Sequence, residues 1–178
     1  TKVLRLSTHL SIDHSTMQMA QKFKELLVEK SGGSLDVEFY TDGQLGGQTE
    51  NCESLKAGTL DMTIIDTGTL ANYNPAAGIL DMPYLFSTKE QAIETVSGDI
   101  GKDFMDMVTE TTGIRPISLQ TIAFRSTLLK DTVIETLDDF KGVKVRIPEN
   151  PSIEACFSAL GATPVAIPSG EALSLIHI

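Results

Sequence analysis

A chain of 178 residues, 41% of them hydrophobic, can bury a sizeable core and has room for one or two α/β units. Its formal net charge of -10 excludes nucleic acid and anionic membrane surfaces as partners, because both require clustered Lys and Arg. No apolar run reaches the roughly 18 residues of a membrane span, and Thr1 follows no signal-like segment, as expected of a processed or cut chain.

Val3 to Thr8 alternates apolar and polar residues and predicts a first strand, ending in the polar cluster His9, Ser11, Asp13 and His14. Ser15 is placed to cap the next helix, in which Met19, Phe23, Leu26 and Leu27 recur at helical spacing until Ser31-Gly32-Gly33 stops it. Leu35 to Tyr40 predicts a second strand. Asp42-Gly43 and Gly46-Gly47 mark a tight loop before a helix over 48–57, closed by Gly58. Leu60 to Asp66 predicts a third strand with Asp66 at its carboxyl end. The β-α-β-α-β order implies an α/β fold whose sheet is mainly parallel, with right-handed crossovers. Asp66 there could accept a hydrogen bond from a ligand hydroxyl or cap the loop behind it.

The stretch 67–86 is rich in Gly, Asn and Pro and reads as a long loop, a length usually kept for binding or a lid. Ser87 with Glu90 forms a capping-box pattern for a helix to Val96. Asp99 is placed to cap another, with Ile100, Phe104, Met107 and Val108 on one face and Gly113 at its end. Ile114 to Arg125 reads as one unusually long strand, able to run from one lobe into another.

Thr136 with Asp139 predicts a capped turn, and Gly142 lets the chain leave it. Val143, Val145 and Ile147 then alternate with Lys144 and Arg146, and Pro148 removes the next ladder donor. Arg146 therefore stands near the carboxyl end of a strand. There a guanidinium could grip a carboxylate with two parallel bonds, or simply pair with Asp138, Asp139 or Glu149 on the surface. Asn150 and Pro151 occupy cap and first-turn positions of a helix with Ile153, Cys156, Phe157 and Leu160 on one face. Gly161 closes it, 162–167 is a last strand, and another helix starts near Glu171.

No nucleophile elbow, zinc-protease motif, Walker loop or dinucleotide fingerprint appears, so neither an enzyme nor a cofactor is indicated. His9, Asp13 and His14 could be a metal cluster, but on so short a connection the turn and cap reading is preferred. Cys52 and Cys156 are too few and too far apart for a disulfide framework or a zinc site, and read as buried free thiols on helices.

Three stretches carry a family resemblance. They are Tyr40 to Gly46 with Glu53 to Met62, Phe124-Arg125 with Leu137 to Pro148, and Ala159 to Val165 with Glu171. Met82-Pro-Tyr-Leu-Phe86 also fits. Together they resemble the substrate-binding proteins of TRAP transporters, receptors that hand organic acids to membrane permease subunits. The resemblance implies a two-lobed, periplasmic-binding-protein-like α/β fold that closes on a small organic carboxylate such as a dicarboxylate, a sialic acid or a sugar acid. It implies a periplasmic location, no cofactor and no enzymatic activity. By this resemblance Arg146 pairs with the ligand carboxylate, Arg125 assists, and His9 and Asp66 shape selectivity in the other lobe. Ser169 stands where the family often presents a larger side chain to the ligand.

The implied division is 1–123 for the first lobe and 124–173 for the start of a truncated second lobe. The last residues, 174–178, resemble translated sequencing-adapter text and read as a non-native tail. Two rivals are a ligand-sensing domain of a regulator, which would be cytoplasmic, and an α/β enzyme acting on a small organic acid.

Overall fold

The computed structural model describes residues 1–121, 124–130, 133–168 and 171–172. By contacts the chain forms two compact units, Thr1–Asp66 and the part from Thr67 onward.

The first unit is β1 (Lys2–Thr8), α1 (Ser15–Lys30), β2 (Leu35–Tyr40), α2 (Gln48–Lys56) and β3 (Met62–Ile64), in the expected β-α-β-α-β order. Its three strands are parallel, in the order β2-β1-β3. The first strand in sequence is therefore the central one, with Leu4 opposite Val37 and Ser7 opposite Thr63. Leu6, Met17, Ala20, Val37, Cys52 and Leu60 are the buried hydrophobic residues of this unit. The third strand is shorter than the expected 60–66. β1 offers it partners only at Leu6, Ser7 and Thr8 before the chain turns away.

Helix α1 is capped by His14 rather than by Ser15: the His14 Nδ1 accepts from the Thr16 backbone N–H at 3.2 Å. Its inner face is Met17 and Ala20, with Met19 and Leu26 turned outward, so the buried stripe is rotated from the one periodicity predicts. Lys24 fastens this helix to β2, donating to the Val37 carbonyl at 2.6 Å and reaching Asp36 at 3.2 Å.

The second unit holds α3 (Thr67–Leu70), a 3-10 helix (Pro75–Asp81), α4 (Lys89–Ser97), α5 (Asp99–Thr112), a 3-10 turn (Leu137–Phe140), β4 (Lys144–Ile147), α6 (Pro151–Ala159) and β5 (Thr163–Ala166). β4 and β5 are parallel and in register from Lys144 opposite Thr163. Val145, Ile147 and Ile153 form a small core there, with Val143, Phe157 and Ala162 packed on it.

Four expectations fail here. The segment 67–86 is not a loop. Its first part folds into two short helices whose Gly68, Thr69, Leu70, Ala77 and Gly78 are buried, and side chains this small leave no hydrophobic periodicity to read. Asn74 caps the second of these helices and reaches Thr111 of α5 at 2.9 Å. The long strand over 114–125 is also absent among the described residues. Pro116 removes a ladder donor there, and Ile117 and Phe124 are both exposed. The cap of α4 is shifted by one residue: Thr88 Oγ1 accepts from the Gln91 N–H, and Gln91 Oε1 accepts from the Ser87 N–H. Similarly, Gly98 takes the cap position of α5 and Asp99 lies inside its first turn.

Candidate functional site

In the first unit, candidate residues gather at the carboxyl end of the sheet. Thr8, fully buried, ties the strand tips together: its hydroxyl donates to the Ile64 carbonyl and accepts from the Leu10 N–H, each at 3.2 Å. His9 follows directly on β1, and Asp66 follows β3 by two residues. The loop between β2 and α2 folds back over the tip of β1, where Asp42 N–H donates to Leu10 and Gly43 N–H to Thr8. Asp42 and Gly43 both take left-handed conformations, which Asp and Gly tolerate best.

That loop delivers Gln48, the first residue of α2, to Asp66. Gln48 Oε1 accepts from the Asp66 backbone N–H at 2.6 Å, and its Nε2 donates to the carboxylate Oδ2 at 3.2 Å. The two-point contact fixes the orientation of the Asp66 carboxylate. Sequence reading missed Gln48, because a glutamine opening a helix also serves as an ordinary helix former. The double glycine before it is the available signal. Gly47 approaches the Glu50 carboxylate closely, and a Cβ on it would lie 2.9 Å from that oxygen.

In the second unit, the alternation of β4 buries Val145 and Ile147 and turns Arg146 to the other face. Its Nε donates to the Ile167 carbonyl at 2.9 Å and its Nη2 donates to the same oxygen. Ile167 in turn donates to the Ile147 carbonyl, so the guanidinium is held from the adjoining edge of the two-stranded sheet. Two of the acids proposed as surface partners are engaged elsewhere. Asp138 pairs with Lys141 at 2.7 Å, and Asp139 accepts from the backbone of Glu135 and Thr136.

Desolvation, and then the charge of Arg125, hold Arg146 below the ordinary value for a guanidinium. The two arginines are therefore close enough to repel. Two guanidiniums thus come near one another at the end of a short strand in a chain of net charge -10.

The structure thus gathers His9, Asp66 and Gln48 in one unit and Arg125 and Arg146 in the other. Ser169, the helix start beyond Glu171–Ala172 and the tail 174–178 lie outside the described residues. No group of three or more His, Cys, Asp or Glu side chains stands together as a metal site among the described residues. His14 serves as the helix cap that the turn reading favours. An apolar pocket of about 550 Å³ opens between residues 71–83 and α6, with the half-buried Cys156 in its wall and none of the candidate ligand residues. No described helix is long and apolar enough to cross a membrane.

Residues 6–176 match the model of the bacterial extracellular solute-binding protein family 7, DctP. The chain belongs to this family. Its DctP-family relatives include the 2,3-diketo-L-gulonate-binding periplasmic protein YiaO of Escherichia coli, 29% identical over 94% of this chain and 51% of that protein. The C4-dicarboxylate-binding protein DctB of Bacillus subtilis is 32% identical over 82% of this chain and 41% of that protein. Among solved structures, a TRAP periplasmic solute-binding protein of Xanthobacter autotrophicus with bound β-D-galacturonate superposes with a TM-score of 0.91 at 25% identity. That match covers 98% of this chain and 58% of the other. The α/β, mainly parallel architecture is thus that of the two-lobed TRAP receptors. The chain spans about half the length of the curated relatives it matches. These relatives are receptors of transport systems rather than enzymes.

Proposed function

We propose that this chain is part of an extracytoplasmic TRAP receptor that binds a small organic acid through Arg146, with Arg125 in support. The observation that supports this reading is the position of Arg146 near the carboxyl end of β4, partly desolvated and close enough to Arg125 for the two charges to interact. The ligands named for the relatives, a diketogulonate, C4-dicarboxylates and a galacturonate, share a carboxylate and further oxygen atoms. Arg146 takes the carboxylate in this reading. The Asp66 carboxylate, oriented by Gln48, and His9 take the ligand's hydroxyl or keto groups, and Ser169 adds a small polar wall. The first lobe is 1–123 and the second begins at 124, with the ligand enclosed by closure. The receptor works in the periplasm and delivers its ligand to integral-membrane permease subunits.

Calorimetric titration with D-galacturonate, other sugar acids and C4-dicarboxylates tests this in the receptor that carries the chain. Each charge-assisted bond to the carboxylate contributes on the order of 1.5 to 3 kcal/mol, and stranding one partner of a buried pair costs about 3 to 5 kcal/mol. Arg146→Ala should therefore weaken binding by roughly two to three decades. Arg146→Lys should recover little, because an ammonium keeps the charge without the planar fork. Arg125→Ala should cost less. Unchanged affinity in Arg146→Ala would sink the reading.

A further inference from the structure

The start of α6 is seated in two glycines. Asn150 is 4% exposed, and its Oδ1 caps the helix by accepting from the Ser152 and Ile153 N–H groups at 3.0 and 3.2 Å. The other end of the same amide is pressed against α3. A Cβ on Gly68 would overlap Asn150 Nδ2 and lie 2.7 Å from the carboxylate Oδ2 of Asp81, an oxygen that also accepts from Thr67. Two residues further along, Ser152 has the same relation to Gly78, where a Cβ would stand 2.7 Å from its hydroxyl. Gly68 has no left-handed backbone requiring glycine. What demands glycine there is the space taken by Asn150.

Residues 67–81 belong to the first lobe in the reading proposed above, and Asn150 and Ser152 belong to the second. We propose that this seat is a closure latch, a contact between lobes that forms when they shut and adds to the stability of the closed form whether or not ligand is present. The inference rests on the division into lobes at 123 and 124. It explains why residues on both sides of that division join one compact unit. Because ligand binding is linked to closure, the strength of the latch sets part of the receptor's affinity without touching the ligand.

Gly68→Ala is the discriminating variant. Alanine suits the backbone of α3; within its own lobe its methyl group meets only the end of the Asp81 side chain, which can turn aside, while in the closed form it meets Asn150. Asn150→Gly in the same chain removes the obstacle, and glycine remains a tolerable cap. Asn150→Asp keeps a good cap but sets a second carboxylate beside Asp81. Spin labels on Asp103→Cys in α5 and Ser158→Cys in α6, both exposed positions, report the separation in a Cys156→Ser background. Cys52, fully buried, stays unlabelled.

The parent chain should show a short-distance population. Gly68→Ala and Asn150→Asp should each reduce that population by about tenfold, a shift within what one overpacked contact does to an equilibrium. The Gly68→Ala/Asn150→Gly double variant should restore it. Two populations in the parent that neither single variant shifts would overturn the latch and leave the lobe division standing, and long distances alone in the parent would overturn it too. One unchanging distance with a lowered unfolding midpoint in Gly68→Ala would mean that 67–168 moves as one body, and the lobe division would fall with the latch.

Discussion

Cys52 and Cys156 show how differently one residue type is set by its surroundings. Cys52 is fully buried on the inner face of α2, and burial, then the neighbouring Glu53, pushes its thiol up to about 11. Cys156 is half-buried on the wall of an open pocket. At pH 8 a thiol reagent should therefore modify one cysteine per chain quickly and the second only on unfolding. Two equally fast thiols would contradict the burial of Cys52. Both are free, as their spacing in the sequence implies. The strand tips bearing Asp66 and Arg146 were equally legible, because a period of two and a terminating proline or loop are local signals. Gln48 was not legible, since its role is a contact 18 residues away along the chain. The ligand roles assigned to Arg125 and His9 come from the family resemblance rather than from any local pattern.

Short elements in this chain stand on single side chains. The turn Leu137–Phe140 is held by Asp139, whose carboxylate accepts from the Thr136 N–H at 2.7 Å, the Thr136 hydroxyl at 2.9 Å and the Glu135 N–H at 3.1 Å. These bonds, led by the Thr136 N–H, hold Asp139 below the ordinary carboxylate value. A carboxyl whose pKa is lower in the folded chain than in the unfolded one stabilises the fold above the unfolded value, about 3.9. That contribution disappears as pH falls through the lower, folded value. Asp139→Ala should thus lower the urea midpoint at pH 7, and the gap to the parent should close on acidification below about pH 4. A gap independent of pH would assign the effect to packing. The Thr136–Asp139 pairing was plain in the sequence because it spans three residues. The helices in 67–81 were not, because Gly, Ala and Asn acquire their roles there from neighbours such as Asn150 and Thr111. The expected strand over 114–125 failed for a related reason: β-propensity makes a strand only where another strand is present to pair with it.

For the molecule as a whole, the core accounts for the folded state and the surface predicts behaviour in solution. Tyr84 is 100% exposed, Leu128 92%, Val133 78% and Leu137 71%, all on the second unit. Expressed as these 178 residues, the chain should bind a hydrophobic dye while keeping native circular dichroism, and should self-associate as its concentration rises. A dye-silent monomer in sedimentation would refute this. The order β2-β1-β3 has a further consequence, for time rather than stability. Every rung of both sheets joins segments separated by a crossover, and Ser7 meets Thr63 only after 56 residues of chain. No hairpin joins the described strands, so none of them can pair first and template the rest. Long loops must close before any ladder bond repays them, so the chain spends its first moments without a β-sheet nucleus and its central strand waits longest for its second neighbour.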